Sequence, residues 1–390
     1  MPQASSPDIS TTIERLAGAL ASTAVERDRR GGTAKAERDL IRQSGLLRLS
    51  IPRAQGGEGA SWAETLMAVR QLARVDGSLA HLFGFHHLLL ATVRLFGDQR
   101  QWQASYTEAA DGTVFWGNAL NPLDKRTRIT AREGGYAING TKTFCSGASD
   151  ADRLIVSALD DQERLVVAAL PATRPGIEIH GDWDAFGQRQ TDSGTVTFTD
   201  VRVTSGELLR TPGPLGSVFA SLRPCLAQLI LVNIYVGIGE GALGQASTFT
   251  REQARPWISS GVASAAQDPF VLRRYGGLWV GLEGARALAD QAAQVFDEAW
   301  RQEDRLTTEG RGTVAVAIAT AKVAATRAAL DTTSGIFEVT GARATAAGAG
   351  LDRFWRNARV HTLHDPIDYK LRELGQWALS GILPTPSFYS

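Results

Sequence analysis

The chain changes texture twice, and the order of those textures constrains the fold more than any single motif. From Ile9 to about Tyr106 apolar residues recur three and four apart, as in Ile13, Leu16 and Leu20 and again in Leu66, Val69 and Leu72, the spacing of one helix face. Between about Thr113 and Val203 short β-type runs take over at 154–158, 165–169, 176–179 and 195–203, the last with Val196, Phe198 and Val201 among threonines. From about Gly216 to Gly381 helical periodicity returns in long Ala- and Leu-rich segments, and Ile367, Leu371, Leu374 and Ala378 form one stripe. Helix, then β, then helix, with no strand–helix alternation, leaves no βαβ unit to cradle a dinucleotide. The expectation is an α+β protein with a helical domain over 1–112, a β domain over 113–212 and a helical bundle over 213–390.

Composition removes several function classes. The 390 residues carry 41 basic and 41 acidic side chains, so the chain lacks the positive field by which proteins attract a phosphate backbone, and nucleic acid is excluded as a partner. Residues 1–10 are polar, without the basic-then-apolar order of a secretory signal. The longest apolar stretch, 225–238, is broken by Gln228 and Asn233 and reads as too short to span a bilayer. Cys145 and Cys225 make no disulfide framework, and no Cys/His spacing suits a metal. A cytoplasmic protein is expected, with a small neutral or singly charged substrate and any phosphate recognition left to a few local arginines.

Five features bear on chemistry. Gly237, Gly239 and Gly241 fall inside a helical pattern, which points to close helix packing and away from a phosphate loop. In 140–147 a strand-like stretch turns and presents Ser146 between Cys145 and Gly147; its hydroxyl either donates to a ring nitrogen or a peroxide oxygen, or is a satisfied turn serine. In 359–366, Asp365 reads as a helix N-cap, Pro366 as the first helical residue and Asp368 as the capping-box acid. That reading sets His364 at a helix N-terminus, whose partial positive charge favours a neutral ring able to donate one hydrogen bond and accept another; a capping or packing role for the His361 and His364 pair is the alternative. His86, entering the apolar run 88–90, and Trp183, in a glycine-bounded loop, are read first as core residues, with site roles as the alternative.

Longer stretches carry a resemblance. The Gly-x-Lys-x-Phe-Cys-Ser-Gly run at 140–147, together with 181–194, 251–257, 334–343 and 354–366, resembles the acyl-CoA dehydrogenase superfamily over essentially the whole chain. More closely it resembles the flavin monooxygenases of that fold, the dibenzothiophene and methanesulfinate monooxygenases. The resemblance implies a central β-barrel or sandwich between an N-terminal helical domain and a C-terminal four-helix bundle, in a homotetramer. Two departures separate this chain from the dehydrogenases. Leu363-His364-Asp365-Pro366 stands where many of them carry a glutamate base, and Thr340-Gly341-Ala342-Arg343 replaces the Gly-Gly-x-Gly that receives the adenine half of FAD. The implied cofactor is FMN, delivered as FMNH2 by a separate NAD(P)H-dependent flavin reductase, with O2 as co-substrate. The implied reaction oxygenates the sulfur of a sulfinate, sulfone or aromatic sulfide through a flavin C4a-hydroperoxide.

Residue by residue, the resemblance implies that Ser146 and His364 hold the peroxide and that His86 lies close to substrate. Asn118, Phe144 and Trp183 would line the isoalloxazine. Arg255 of a neighbouring subunit would contact the phosphate, with His361 nearby. Leu88-Leu89-Leu90 stands where the dibenzothiophene enzyme has a tyrosine, which argues against a tricyclic substrate. The competing readings are a nitrogen-oxygenating enzyme of the same fold, an FAD-dependent acyl-CoA dehydrogenase with a relocated base, and an inactive scaffold.

Overall fold

The computed structural model describes residues 8–390; residues 1–7, most of the stretch in which no secretory signal was read, lie outside the described residues. Six helices come first: α1 (Ile9–Ala21), α2 (Ala24–Arg30), α3 (Lys35–Gln43), α4 (Trp62–Ala73), α5 (Gly77–Phe96) and α6 (Gln99–Ala109). Seven strands follow: β1 (Trp116–Ala119), β2 (Arg128–Arg132), β3 (Gly135–Lys142), β4 (Arg153–Leu159), β5 (Leu165–Pro171), β6 (Ile177–Ile179) and β7 (Val196–Val203). Then come α7 (Leu222–Glu252), α8 (Pro269–Gln302), α9 (Thr308–Thr340), α10 (Asp352–His361) and α11 (Ile367–Ser380). Local chemistry fixes several starts. Ser61 with Glu64 and Asp98 with Gln101 form capping boxes on α4 and α6, and Asp268 caps α8 with Pro269 at its first position.

The β domain is one seven-stranded mixed sheet. β4 pairs with β5 along one edge; on the other it pairs in parallel with β1 and, at Leu159, with β2. Antiparallel pairs then carry the sheet through β3 and β7 to β6. It buries its own core of Ile129, Ile138, Val156, Leu170 and Phe198, separate from the helical core.

In the C-terminal domain α7, α8 and α9 are the long members, and α11 lies against α9 as the fourth. The α11 stripe read in the sequence is not a buried face: Leu371 is 36 % exposed, Ala378 is exposed, Ile367 and Leu374 are half-buried, and Lys370 is the residue of that helix that is buried. α7 is the axis of the molecule, packed by α4, α5, α8 and α9. Its length corrects the expectation for 225–238. α5, α7 and α9 are long and apolar enough to cross a membrane, but their most apolar windows are 94 %, 89 % and 67 % buried inside the protein, so protein occupies the place of lipid. The glycines of α7 permit this closeness. A Cβ at Gly237 or Gly241 would collide with the carbonyl oxygens of Arg70 and Arg74 on and just after α4. Gly241→Ala is therefore predicted to cost about 2–3 kcal/mol by overpacking. Gly244→Ala, at an exposed position with nothing within 4 Å, should be neutral or stabilising by up to about 1 kcal/mol. Equilibrium denaturation of the two variants checks the contrast; equal effects would contradict it.

α5 is buried on nearly every side, and three histidines ride inside it. His86 is completely buried, with Nε2 bonded to the Leu47 carbonyl at 2.8 Å and Nδ1 receiving the Trp116 N–H at 3.3 Å. Burial pushes His81 down to about 3 and His86 to about 4, and lowers His87 and His361 well below the ordinary value of 6.5. Each ring is thus a poorer base folded than unfolded. Their contribution is complete above about pH 6.5 and is lost as pH falls toward the folded values, by up to about 1.4 kcal/mol per pH unit for each ring. Melting temperature measured from pH 7.5 to 5 should fall steeply below pH 6.5; a flat profile would contradict the burial of these four neutral rings.

Candidate active site

A cavity of about 990 Å³ opens where the three domains meet. The β domain contributes Asn118, Phe144, Ser146, Trp183 and Ser193; α5 contributes His81, Phe85 and Leu88. α7 adds Arg223 and Gln228, the end of α10 adds His361, the α10–α11 turn adds His364, and the C-terminal segment adds Phe388 and Tyr389. A second hollow of about 810 Å³ between α7 and α8 is lined by Arg74, Glu240, Tyr275 and Trp279 and contains none of the candidate catalytic or cofactor-binding residues named from the sequence.

Ser146 is held by the backbone on three sides. The Cys145 N–H bonds the Gly194 carbonyl, the Gly147 N–H bonds the Thr191 carbonyl, and the Ser146 carbonyl accepts from Asn118 N–H, each at 3.0 Å. Gly147 has φ 73°, a left-handed turn that a side chain would strain. Cys145 is buried and its thiol is pushed up to about 12 by that burial, so it packs and does not react; Cys225 is likewise free and buried.

The Ser146 hydroxyl belongs to a chain with a fixed direction. Thr191 Oγ1 donates to the Gln188 carbonyl at 2.9 Å, and Ser193 Oγ donates to Thr191 Oγ1 at 2.7 Å. Ser193 has then spent its only proton, so in the 2.7 Å contact between Ser146 and Ser193 it is Ser146 that donates. Toward the cavity Ser146 is left with lone pairs. Of the two roles open to the sequence, a hydroxyl that donates outward is replaced by one that accepts.

Beside it stands an aromatic wall. Phe144 is 60 % exposed and sits at φ 59°, an unusual conformation for a bulky residue and of the kind stored at functional sites. Trp183 meets it edge-on at 5.9 Å between centroids, its indole fixed by Nε1 donating to the Gln188 carbonyl at 2.9 Å. Asn118 Nδ2 donates to the Phe144 carbonyl at 3.4 Å.

The helical side supplies imidazoles. His81 Nδ1 and His361 Nε2 share a hydrogen bond of 2.9 Å, and Tyr235 donates its hydroxyl to the His361 carbonyl at 2.9 Å. Among the described residues His81 Nε2 and His361 Nδ1 are buried without partners. Both rings are neutral, so wherever the shared proton sits, these outer nitrogens comprise one donor and one acceptor.

His364 differs from its sequence reading. α11 begins at Ile367 with Pro366 as N-cap and no side-chain cap, while the His364 N–H closes the end of α10 on the His361 carbonyl at 3.1 Å. No lone helix N-terminus governs the ring. Asp365 does not cap α11: its Oδ1 meets His364 Nδ1 at 3.2 Å and Lys322 Nζ at 2.9 Å, and its Oδ2 is buried without a partner among the described residues. Burial alone would raise the Asp365 carboxyl, but the hydrogen bonds and the Lys322 ammonium outweigh it and hold the group well below the usual carboxylate range. An ionised Asp365 only accepts, so His364 Nδ1 carries a proton and Nε2 remains for a ligand.

Six of the residues singled out in the sequence thus meet at one cavity: Asn118, Phe144, Ser146, Trp183, His361 and His364. Two do not. His86 lies behind the wall with both ring nitrogens bonded to backbone; five residues separate it from His81, which turns it about 140° around the helix from the cavity face. Arg255 is exposed in the α7–α8 loop, away from its own chain's cavity. The sequence reading missed His81 and Phe85, whose four-residue spacing marks one helix face, and also Arg223 and the Lys322–Asp365 pair.

Comparison with known proteins agrees with this geometry. The acyl-CoA dehydrogenase N-terminal, middle and C-terminal domain families match residues 9–113, 106–201 and 229–369. The chain is 56 % identical to a probable FMNH2-dependent monooxygenase, SfnC, of Pseudomonas putida, covering 96 % of this chain and 95 % of that protein. The structure of methanesulfinate monooxygenase MsuC from Pseudomonas fluorescens superposes with a TM-score of 0.97 at 55 % identity, covering 98 % of this chain and 100 % of that one. FMN-bound TdsC from Paenibacillus sp. A11-2 superposes with a TM-score of 0.93 at 44 % identity, covering 97 % and 99 %. The chain belongs to the FMNH2-dependent monooxygenases built on the acyl-CoA dehydrogenase fold.

Proposed function

We propose that this protein uses FMNH2 and O2 to oxygenate the sulfur of a small organosulfur compound. The observation that carries the choice over an acyl-CoA dehydrogenase is the helical wall of the cavity, which is lined by histidines, Arg223, Gln228, Tyr389 and apolar residues and by no Asp or Glu. Taking an α-proton from a thioester calls for a carboxylate aimed at it. The acids lining the cavity, Asp124 and Asp184, belong to the β domain, and Asp124 is already bonded by Arg126 and Thr143.

The residues fit FMN. Phe144 and Trp183 offer aromatic surface to a flat ring system, Asn118 stands beside them, and Ser146 presents the acceptor that suits the N–H a reduced flavin carries. The orphaned His81 Nε2 and His361 Nδ1 are buried donor and acceptor groups of the kind a ligand satisfies. Bound there, reduced FMN would supply the two electrons that activate O2, one oxygen atom of which would go to sulfur and the other to water. The chain's own part is to exclude water with Phe85, Leu88 and Phe388, to accept at Ser146, and to hold a proton at His364 through Asp365.

A separate NAD(P)H-dependent reductase provides the FMNH2, which places the enzyme in the cytoplasm. A homotetramer completes the reading: Trp257 and Ile258, 73 % and 94 % exposed beside Arg255, and Phe270 and Trp279 on α8 suit a subunit interface that carries Arg255 to a neighbour's FMN phosphate. The test is turnover with a flavin reductase, NADH and a panel of sulfides, sulfones and sulfinates. Wild type should couple O2 uptake to sulfur product. Ser146→Ala and His364→Ala should each lower product per O2 about 10-fold or more, with H2O2 making up the difference. Unchanged coupling in both variants, or bleaching of an FAD-loaded protein by an acyl-CoA without O2, would overturn the reading.

A further inference from the structure

Arg223 lines the cavity with a charge that no acid neutralises. It stands in the first turn of α7, 7 % exposed, among Leu88, Ala227, Phe388 and Tyr389. Its Nε approaches Thr92 Oγ1 at 3.4 Å; among the described residues neither terminal nitrogen has a hydrogen-bond partner and no carboxylate lies within 4 Å. Arg27, as deeply buried, shows the usual arrangement, with both Asp76 and Glu37 against it. Burial pushes Arg223 down to about 10, opposed only by the Tyr389 phenol, and leaves it charged at neutral pH.

Three circumstances work against a cation here. It is desolvated, it lacks a counter-ion, and it sits at the positive end of a helix dipole. A side chain kept against such opposition is explained by an anion that arrives from outside. A guanidinium offers paired N–H groups that match the two oxygens of a planar or pyramidal oxyanion, and Leu88, Ala227 and Phe388 provide an apolar bed for a short alkyl group beside it.

We infer that Arg223 binds the negative charge of the substrate, and that the substrate is a small alkyl sulfur oxyanion whose sulfur still has a lone pair, a sulfinate, in preference to a neutral sulfide or thiophene. This rests on the proposal that sulfur is the atom oxygenated. The FMN phosphate is the other oxyanion available to the site. Phe144, Trp183 and Asn118 hold the β-domain side of the cavity, whereas Arg223 stands on the helical side beside Leu88, which favours the substrate.

The test needs no turnover. Methanesulfonate, an unreactive probe, is titrated calorimetrically into FMN-loaded wild type, Arg223→Gln and Arg223→Lys, and FMN affinity and melting temperature are measured for all three. The glutamine variant should bind methanesulfonate about 10- to 100-fold more weakly, the lysine variant should recover part of that loss, FMN affinity should be unchanged, and the glutamine variant should melt no lower than wild type. Parallel turnover should show wild type preferring methanesulfinate over the isosteric neutral dimethyl sulfoxide, and Arg223→Gln losing that preference. Unchanged sulfonate binding in Arg223→Gln overturns the assignment, as does a fall in FMN affinity, which would give the guanidinium to the phosphate. Should the glutamine variant not fold, undiminished sulfonate binding by the lysine variant together with loss of its FMN affinity overturns it equally. A wild type that binds sulfonate through Arg223 but oxygenates no sulfur compound counts against the monooxygenase reading alone.

Discussion

The buried ion pair between Lys322 and Asp365 is the contact on which the geometry of the site depends. Lys322 reaches from the middle of α9, donates to Gln228 on α7 and to Asp365 in the α10–α11 turn, and so ties three helical elements at one buried point. The pair is an expensive way to join helices, because two charges leave water to form it, and well-packed apolar residues often do the same more stably. What an apolar contact would not do is present a carboxylate to His364, which shares Asp365 Oδ1 with Lys322. Through Asp365 the pair fixes which nitrogen of that ring is protonated, beside the end of α10 that carries His361 to its bond with His81.

The rest of the cavity follows a similar pattern, in which groups unfavourable to the folded chain collect where a ligand belongs. Phe144 holds a left-handed backbone conformation, two imidazole nitrogens are buried without partners, and Arg223 is charged without an acid. Each would be a defect elsewhere in the core. Gathered on one cavity they describe a complementary ligand: flat and hydrogen-bonding on the β-domain side, small and anionic on the helical side. The deep apolar packing around α7, which needs Gly237 and Gly241 against backbone carbonyls, supplies the stability that tolerates them.

The architecture was readable because it rests on periodicity, a property of neighbouring residues. The helical zones, all of the strand runs quoted and the packing role of the α7 glycines appear where local pattern places them. The loop 140–147 and the 361–366 turn also stood out, since turn chemistry is local. What local pattern does not contain is the identity of a distant partner. Asp365 has the sequence context of a helix cap, but its Oδ1 is turned to Lys322, 43 residues away, and α11 starts without a side-chain cap. The Ser146 hydroxyl was visible, yet its direction is set by Ser193 and Thr191, which reach it only through the fold. His86 and His81 were separable in principle, since Phe85 shares a face with His81 and not with His86, but a helix buried on almost every side offers no polar face to say which direction is inward. Arg223 carried the faintest signal: a single cation entering a long apolar helix, with no acid at helical spacing on either side to pair with it.

The central claim is that O2, activated at this cavity with reduced FMN, is the source of the atom added to sulfur. Turnover under 18O2 with FMN, a flavin reductase and NADH, followed by mass spectrometry of the sulfur product, tests it directly. One labelled oxygen atom per product molecule is the predicted result; unlabelled product, or product formed equally well without O2 or without FMN, would contradict it.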